Sequence, residues 1–238
     1  ASELNQKHAD VVHITPDHHY PTGIVMPIGR RYELLRWAAD KEGRYILEDD
    51  YDSEFRFRGK PVPTLYSTDT SRSVVYLNTF SKTIAPSIRI SYMVLPYDLL
   101  ELYNKKLGFY ACTVSSLEQY TLAGFISNGH FEKHLNRMKI YYHRKRNCLA
   151  ECMGNGPLTG KVDIIEYDAG LHFLVRLHTA LSDEEFKEKA KRAGINVAML
   201  SDYYHDPANA PEHLMIMNYS GIHMEKLPEA LKRIAEWL

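Results

Sequence analysis

Apolar positions along the chain fall into short runs separated by longer amphipathic stretches. Val11–Ile14 is a four-residue apolar run broken only by His13, followed by a turn-rich segment from Thr15 to Gly23. Residues 29–42 then place Leu34, Leu35, Trp37 and Ala38 at helical spacing, and Tyr45-Ile46-Leu47 runs into the acidic cluster Glu48-Asp49-Asp50. Val74–Leu77 and Tyr92–Leu95 are two more short apolar runs. Runs of this length, alternating with helical stretches, predict a mainly parallel sheet buried on both faces, hence an α/β architecture.

Residues 99–125 read as helical, and 130–153 as one long helix that ends at Gly154, Gly156, Pro157 and Gly160. A different pattern follows. Strands are predicted near 162–166, 172–176, 195–199 and 213–218, with a helix over 182–193 and a final helix to Leu238. Ser182 followed by Asp183-Glu184-Glu185 is a capping-box signature, with acidic side chains favourable at a helix N-terminus. The chain therefore divides at 1–128, part of a large α/β domain, and 129–238, a long connecting helix with a smaller α+β domain. No internal repeat or low-complexity segment interrupts this order.

Composition narrows the class. The 238 residues carry a formal net charge of −1, which argues against a nucleic-acid-binding surface spread over the chain. With no run of about 18 apolar residues and no signal-peptide pattern, a membrane or secreted protein is not expected. Three cysteines cannot build a disulfide framework, and Cys148 and Cys152 share a helix face as reduced structural residues, consistent with a cytoplasmic location. The chain opens on Ala1 without a Met and runs quickly into a buried-type strand, so it is expected to be a piece of a longer protein.

Three segments lie just past predicted strands, where open α/β sheets place ligands: 17–23, 48–51 and 79–82. Each is weak alone, since a strand-end acid usually caps a turn and a Ser-Lys pair is usually surface. Together with Ile46-Leu47-Glu48-Asp49-Asp50-Tyr51-Asp52-Ser53-Glu54-Phe55, Asn78-Thr79-Phe80-Ser81-Lys82, the Pro86–Pro96 stretch and Ala169-Gly170-Leu171-His172-Phe173, they resemble a known family. The likeness is to the fold-type I pyridoxal-phosphate (PLP) enzymes of aspartate aminotransferase type. Within them it is closest to the C-terminal effector domain of MocR/GabR-type transcriptional regulators of the GntR family.

The resemblance implies a fold and a site. The fold would be a truncated α/β PLP-dependent transferase, aspartate aminotransferase-like, with a mostly parallel large-domain sheet and a smaller α+β C-terminal domain. Lys82 matches the lysine whose deprotonated amine forms an imine with the PLP aldehyde. Asp49 matches the carboxylate that keeps the pyridine nitrogen protonated, and Tyr51 the hydroxyl at the ring 3-oxygen. Thr79, Ser81 and Arg89 match the phosphate contacts, where the planar guanidinium suits phosphate oxygens. Tyr20 stands where free-standing aminotransferases carry Asn, and His19 is a candidate neighbour of the ring. Asp50 and Asp52 read as readily as turn formers or solvated charges as they do as cofactor ligands, His172 as a satisfied core histidine, and Tyr141 and Tyr142 as packing or subunit-contact residues.

Two departures bear on activity. The family's glycine-containing phosphate loop and its ring-stacking aromatic lie upstream of Asp17 and are outside this sequence, so weak or absent PLP binding is expected of the chain alone. The small-domain arginine that grips a ligand carboxylate has no counterpart in Met199–Tyr203, where Asp202 stands, or in Met215–Tyr219. The leading functional expectation is an effector sensor that takes an amino compound as external aldimine and signals to DNA only through an upstream winged helix-turn-helix. The alternative is a working aminotransferase acting on an amino acid, and a third is a cofactor-free module. A homodimer is expected and no metal.

Overall fold

A computed structural model of the chain describes residues 1–57, 62–165, 169–206 and 209–238. They form two compact units, one of Ala1–His19, Val25–Glu54 and Gly59–Met138, the other of Tyr20–Ile24, Phe55–Arg58 and Lys139–Leu238. The division passes through the long helix after Met138, and two short segments of the first half join the second unit.

The first unit holds a four-stranded sheet in the order β1 (Val11–Ile14), β2 (Tyr45–Asp49), β3 (Val74–Thr79), β4 (Ser91–Val94). β1, β2 and β3 are parallel, and β4 runs antiparallel to β3 with Asn78 opposite Tyr92 and Thr79 opposite Ser91. Parallel neighbours need a crossover; α2 (Ile28–Ala39) supplies the one between β1 and β2. Its Leu34, Trp37 and Ala38 face Ile46, Val74 and Leu65 in a continuous core. Each of the leucine, isoleucine and valine side chains among them contributes on the order of 1.5–3 kcal/mol by leaving water. A short helix α1 (Ser2–Gln6), which the strand-first reading did not include, precedes β1 and packs Leu4 on that core.

Glu48 and Arg31 bind the loops to this frame. Glu48, on β2, is 1 % exposed and accepts hydrogen bonds from the backbone N–H groups of Leu65 (2.7 Å) and Tyr66 (2.8 Å), at the start of α3 (Leu65–Thr68). These are orphan donors of a helix N-terminus, which a carboxylate satisfies well. Burial nevertheless dominates and raises its pKa to about 7. Arg31, on α2, is equally buried and donates to the carbonyls of Pro16 (2.9 Å), Pro63 (3.1 Å) and Met26 (3.2 Å) and to the Asp17 carboxylate.

The expectation of a sheet buried on both faces holds for β2 and β3 and fails for the edges. Tyr92 and Met93 on β4 are 42 % and 54 % exposed, and among the described residues no strand pairs with the outer side of β4. The single helical stretch read over 99–125 is two helices, α5 (Tyr97–Leu107) and α6 (Ser116–Ser127). Ser115 caps α6 by accepting from Glu118 N–H, so a new N-terminus competes with continuation of α5. α4 (Phe80–Thr83) is a single turn after β3. The long helix is α7 (His130–Gly154).

The second unit contains an antiparallel sheet in the order β5 (Val162–Ile165), β6 (His172–Leu177), β8 (Leu214–Asn218), β7 (Ala198–Met199). β7 is far shorter than the pattern over 195–199 suggests. α8 (Asp183–Arg192) begins with the expected capping box: Ser182 Oγ accepts from Glu185 N–H at 3.3 Å, and the Glu185 carboxylate accepts from Ser182 N–H at 2.9 Å. α9 (Leu227–Ala235) buries Leu227, Leu231 and Ile234. Tyr142 on α7 packs edge-on against Phe55 at 5.2 Å, while Tyr141 stays 53 % exposed. No described helix is long and apolar enough to cross a membrane.

Candidate cofactor cleft

The C-terminal ends of β2 and β3 carry most of the residues singled out in the sequence, because parallel strands bring their following loops to one edge of the sheet. A cleft of about 410 Å³ opens there, lined by Asp49, Tyr51, Asn78, Thr79, Tyr92 and Met93 among others. Asp49, the last residue of β2, faces His13 of β1 at 3.3 Å. Asp49, Tyr51 and Thr79 are thus brought together in one cleft.

Thr79 joins this cleft to a second group. It is the N-cap of α4 and accepts from Ser81 N–H at 3.2 Å. Thr79 and Ser81 hydroxyls donate to the carbonyls of Ile90 (3.2 Å) and Ile88 (2.7 Å), which folds the 84–90 loop back on the helix turn. That loop delivers Arg89, whose guanidinium donates to Ser81 Oγ at 3.2 Å. Lys82 is exposed, one position beyond Ser81 on the same turn. Two hydroxyls, a guanidinium and a turn of backbone N–H groups form a donor set suited to a phosphate.

Behind the cleft lies a buried polar chain that the sequence did not announce. Tyr76 donates to Asp50 Oδ2 at 2.7 Å and accepts from the Asn78 amide at 3.0 Å, and Asn78 Oδ1 accepts from Thr79 N–H. Asp50 is 5 % exposed, so the turn-former or solvated-charge reading is corrected. Burial raises the pKa of Asp50 and of Glu54, and pushes the Tyr76 and Tyr92 phenols up.

Asp52, read in the same way, is 2 % exposed and lies 2.9 Å from Nδ1 of His18, itself buried. Tyr51 donates to the His18 carbonyl at 3.0 Å. His19, the next residue, has its pKa lowered by desolvation first and then by His18.

Within the second unit, Tyr20 shares a hydrogen bond with Tyr203 at 2.6 Å between hydroxyl oxygens, and its ring lies edge-on to His172 at 5.1 Å. Burial and the Tyr203 contact raise the Tyr20 phenol to about 12. Buried His172 opens β6, a strand buried at every position but Arg176 rather than an alternating one. Asp202, where the family's carboxylate-gripping arginine would be expected, accepts from Lys187 at 2.6 Å and from Met199 N–H at 3.0 Å.

The family model for aminotransferase class I and II matches residues 1–234. The uncharacterized HTH-type transcriptional regulator YdeL of Bacillus subtilis is 38% identical over 237 residues, 99% of this chain and 50% of that protein. The probable rhizopine catabolism regulatory protein MocR of Rhizobium meliloti is 35% identical over 226 residues, 94% of this chain and 45% of that protein. Among solved structures, the Pyrococcus horikoshii kynurenine aminotransferase in complex with PMP matches with a TM-score of 0.82 and 26% identity, over 99% of this chain and 58% of that one. The chain spans about half the length of the curated relatives it matches. With a parallel sheet closed by one antiparallel strand, an α+β second unit and a family match over nearly its whole length, the chain belongs to the aminotransferase class I and II family.

Proposed function

We propose that the chain is the aminotransferase-like, effector-sensing part of a transcriptional regulator, with its cofactor site in the cleft at the ends of β2 and β3. The observation that carries this reading is the convergence of Asp49, Tyr51 and Thr79 on one cleft, joined through Thr79 to Ser81 and Arg89. The chemistry of the residues fits PLP: a carboxylate, a phenol and the Thr79 hydroxyl line the cleft, and Ser81, Arg89 and Lys82 follow on the turn and loop that Thr79 begins. Bound there, PLP would supply an aldehyde for amines and a ring that accepts electrons.

The chain's own residues then have distinct tasks. Thr79, Ser81 and Arg89 would hold the phosphate, through the two hydroxyls and the guanidinium. Asp49 holds a proton at the pyridine nitrogen, and Tyr51 orients the ring through its 3-oxygen. Lys82 would supply the amine that meets the cofactor aldehyde. The regulator reading is favoured by the relatives of about 35–38% identity, which are HTH-type regulators and a regulatory protein. An amino acid aminotransferase is the second reading, favoured by the 26% identity to aromatic-amino-acid aminotransferase 1 of Thermococcus litoralis.

Absorbance titration with PLP tests the site, using the wild-type chain and Lys82→Ala. With the family's phosphate loop and stacking aromatic outside this sequence the site is expected to be weak, so PLP is added in excess, and a lysine-linked pyridoxal band larger in the wild type than in Lys82→Ala is the expected result. Identical spectra for the two proteins would overturn the assignment of Lys82. Adding an amino acid with a keto acid separates the two readings: sustained turnover means an enzyme, and ligand binding without turnover means a sensor.

A further inference from the structure

Tyr51 reaches the cleft from a segment that follows β2, where a side chain could adopt several positions. Two of its contacts come from one residue, His18, which lies 33 positions earlier. The Tyr51 hydroxyl donates to the His18 carbonyl at 3.0 Å, and its oxygen stands 3.3 Å from His18 Nδ1. On its other side Nδ1 faces Asp52 Oδ2 at 2.9 Å. His18 and Asp52 have side chains only 1 % and 2 % exposed, so this pairing is shielded from water.

Chemistry fixes the direction of these bonds. A carboxylate accepts and cannot donate, so the Nδ1 facing Asp52 carries the hydrogen. That hydrogen lies between Asp52 and Tyr51, and the phenol oxygen is its second acceptor. The phenol oxygen is therefore held by Nδ1–H while its own hydrogen is held by the His18 carbonyl. An acceptor entering the cleft draws the phenol hydrogen over, and Nδ1–H keeps the oxygen in place whichever way that hydrogen points. Burial makes the arrangement stiff, because an unmet Asp52 or His18 would be costly there.

We propose that His18 and Asp52 are positioning residues that fix the Tyr51 hydroxyl on the wall of the cleft. His18 comes from the turn after β1 and Asp52 from the turn after β2, so the pair also ties these two loops together. The inference rests on the proposed cofactor site only in its last step, the consequence for a ligand in the cleft.

The first arm of the test needs no cofactor. Protein labelled with carbon-13 at the phenol carbon of tyrosine gives a Tyr51 signal, assigned by its loss in Tyr51→Phe. Asp52→Asn, which turns an acceptor into a group that also donates, and His18→Ala are expected to shift that signal. His18→Asn, whose amide nitrogen can stand where Nδ1 stands, is expected to restore it. The signals of Tyr97 and Tyr110, exposed on and after α5, should stay in place and report an intact fold.

The second arm measures PLP affinity by fluorescence. Asp52→Asn is expected to weaken it by roughly fivefold, the size of one hydrogen bond, and to have no effect in the Tyr51→Phe background. A Tyr51 signal unmoved by both Asp52→Asn and His18→Ala overturns the proposal. So does an affinity loss of the same size with and without Tyr51. If the signal moves as expected but PLP affinity is the same in the wild type and Tyr51→Phe, the positioning pair stands and the cofactor reading of Tyr51 fails.

Discussion

Replacing Arg31 by Met should be among the most damaging single changes outside the apolar core. The methionine matches the length of the arginine stem but removes every donor. The carbonyls of Met26 and Pro63 and the Asp17 carboxylate then lose Arg31 as partner in a setting where it is 1 % exposed, while the Pro16 carbonyl keeps the Met26 N–H at 2.8 Å. Breaking a buried ion pair by removing one member costs about 3–5 kcal/mol, and each orphaned carbonyl adds to that unless it reaches water. Asp17 retains some contact with solvent, its side chain being 15% exposed, which holds the sum near about 4 kcal/mol. Urea unfolding should be followed by fluorescence in a Trp237→Phe background, leaving Trp37 in the core of the first unit as sole reporter. With a slope of about 2.5 kcal/mol/M, the midpoint should fall by roughly 1.5 M. Arg31→Lys, keeping the charge but losing the planar fork, should recover only part of this. A midpoint within about 0.3 M of wild type for Arg31→Met would refute the view that this side chain binds the loops together.

Two further outcomes follow from the same contacts. Glu48 has its folded pKa raised from 4.5 to about 7, so the stability it confers is full below pH 4.5 and is lost as pH rises toward 7. Between these limits wild type should lose about 3 kcal/mol relative to Glu48→Gln, and stability curves that run parallel for the two proteins would contradict the buried-carboxyl account. Ser182→Ala removes the cap of α8 and should cost about 1 kcal/mol. Thermal unfolding followed through Trp237, which packs edge-on against Phe186 of α8 at 5.8 Å, checks it, and an unchanged midpoint would mean that the cap contributes nothing.

The sequence carried the order of elements well because each is specified locally. Short β-rich apolar runs mark β1, β2 and β3, helical spacing marks α2 and α7, and the Ser182 box marks the start of α8. The resemblance in the 46–55 and 78–82 segments pointed to the residues that meet at the cleft. What stayed illegible depends on partners distant in sequence. Asp50 and Asp52 look like turn residues until Tyr76, 26 positions away, and His18, 34 positions away, are seen to hold them. The division of 97–127 into α5 and α6 also escaped the pattern, since α5 ends at Leu107 with Gly108 as its C-cap and Ser115 opens a new helix N-terminus. β4 reads as buried from its composition, yet exposure is set by what covers an edge, which composition does not encode.

The central claim is that Lys82 is the amine of a cofactor site, and chemical trapping tests it most directly. The chain is mixed with less than one equivalent of PLP, reduced with borohydride to fix any lysine adduct, digested and mapped by mass spectrometry. The account predicts that the phosphopyridoxyl mass falls predominantly on the peptide containing Lys82, and that Arg89→Ala lowers this labelling by weakening the hold on the phosphate. Labelling spread evenly over exposed lysines, with Lys82 no more modified than Lys41 or Lys105, would contradict it.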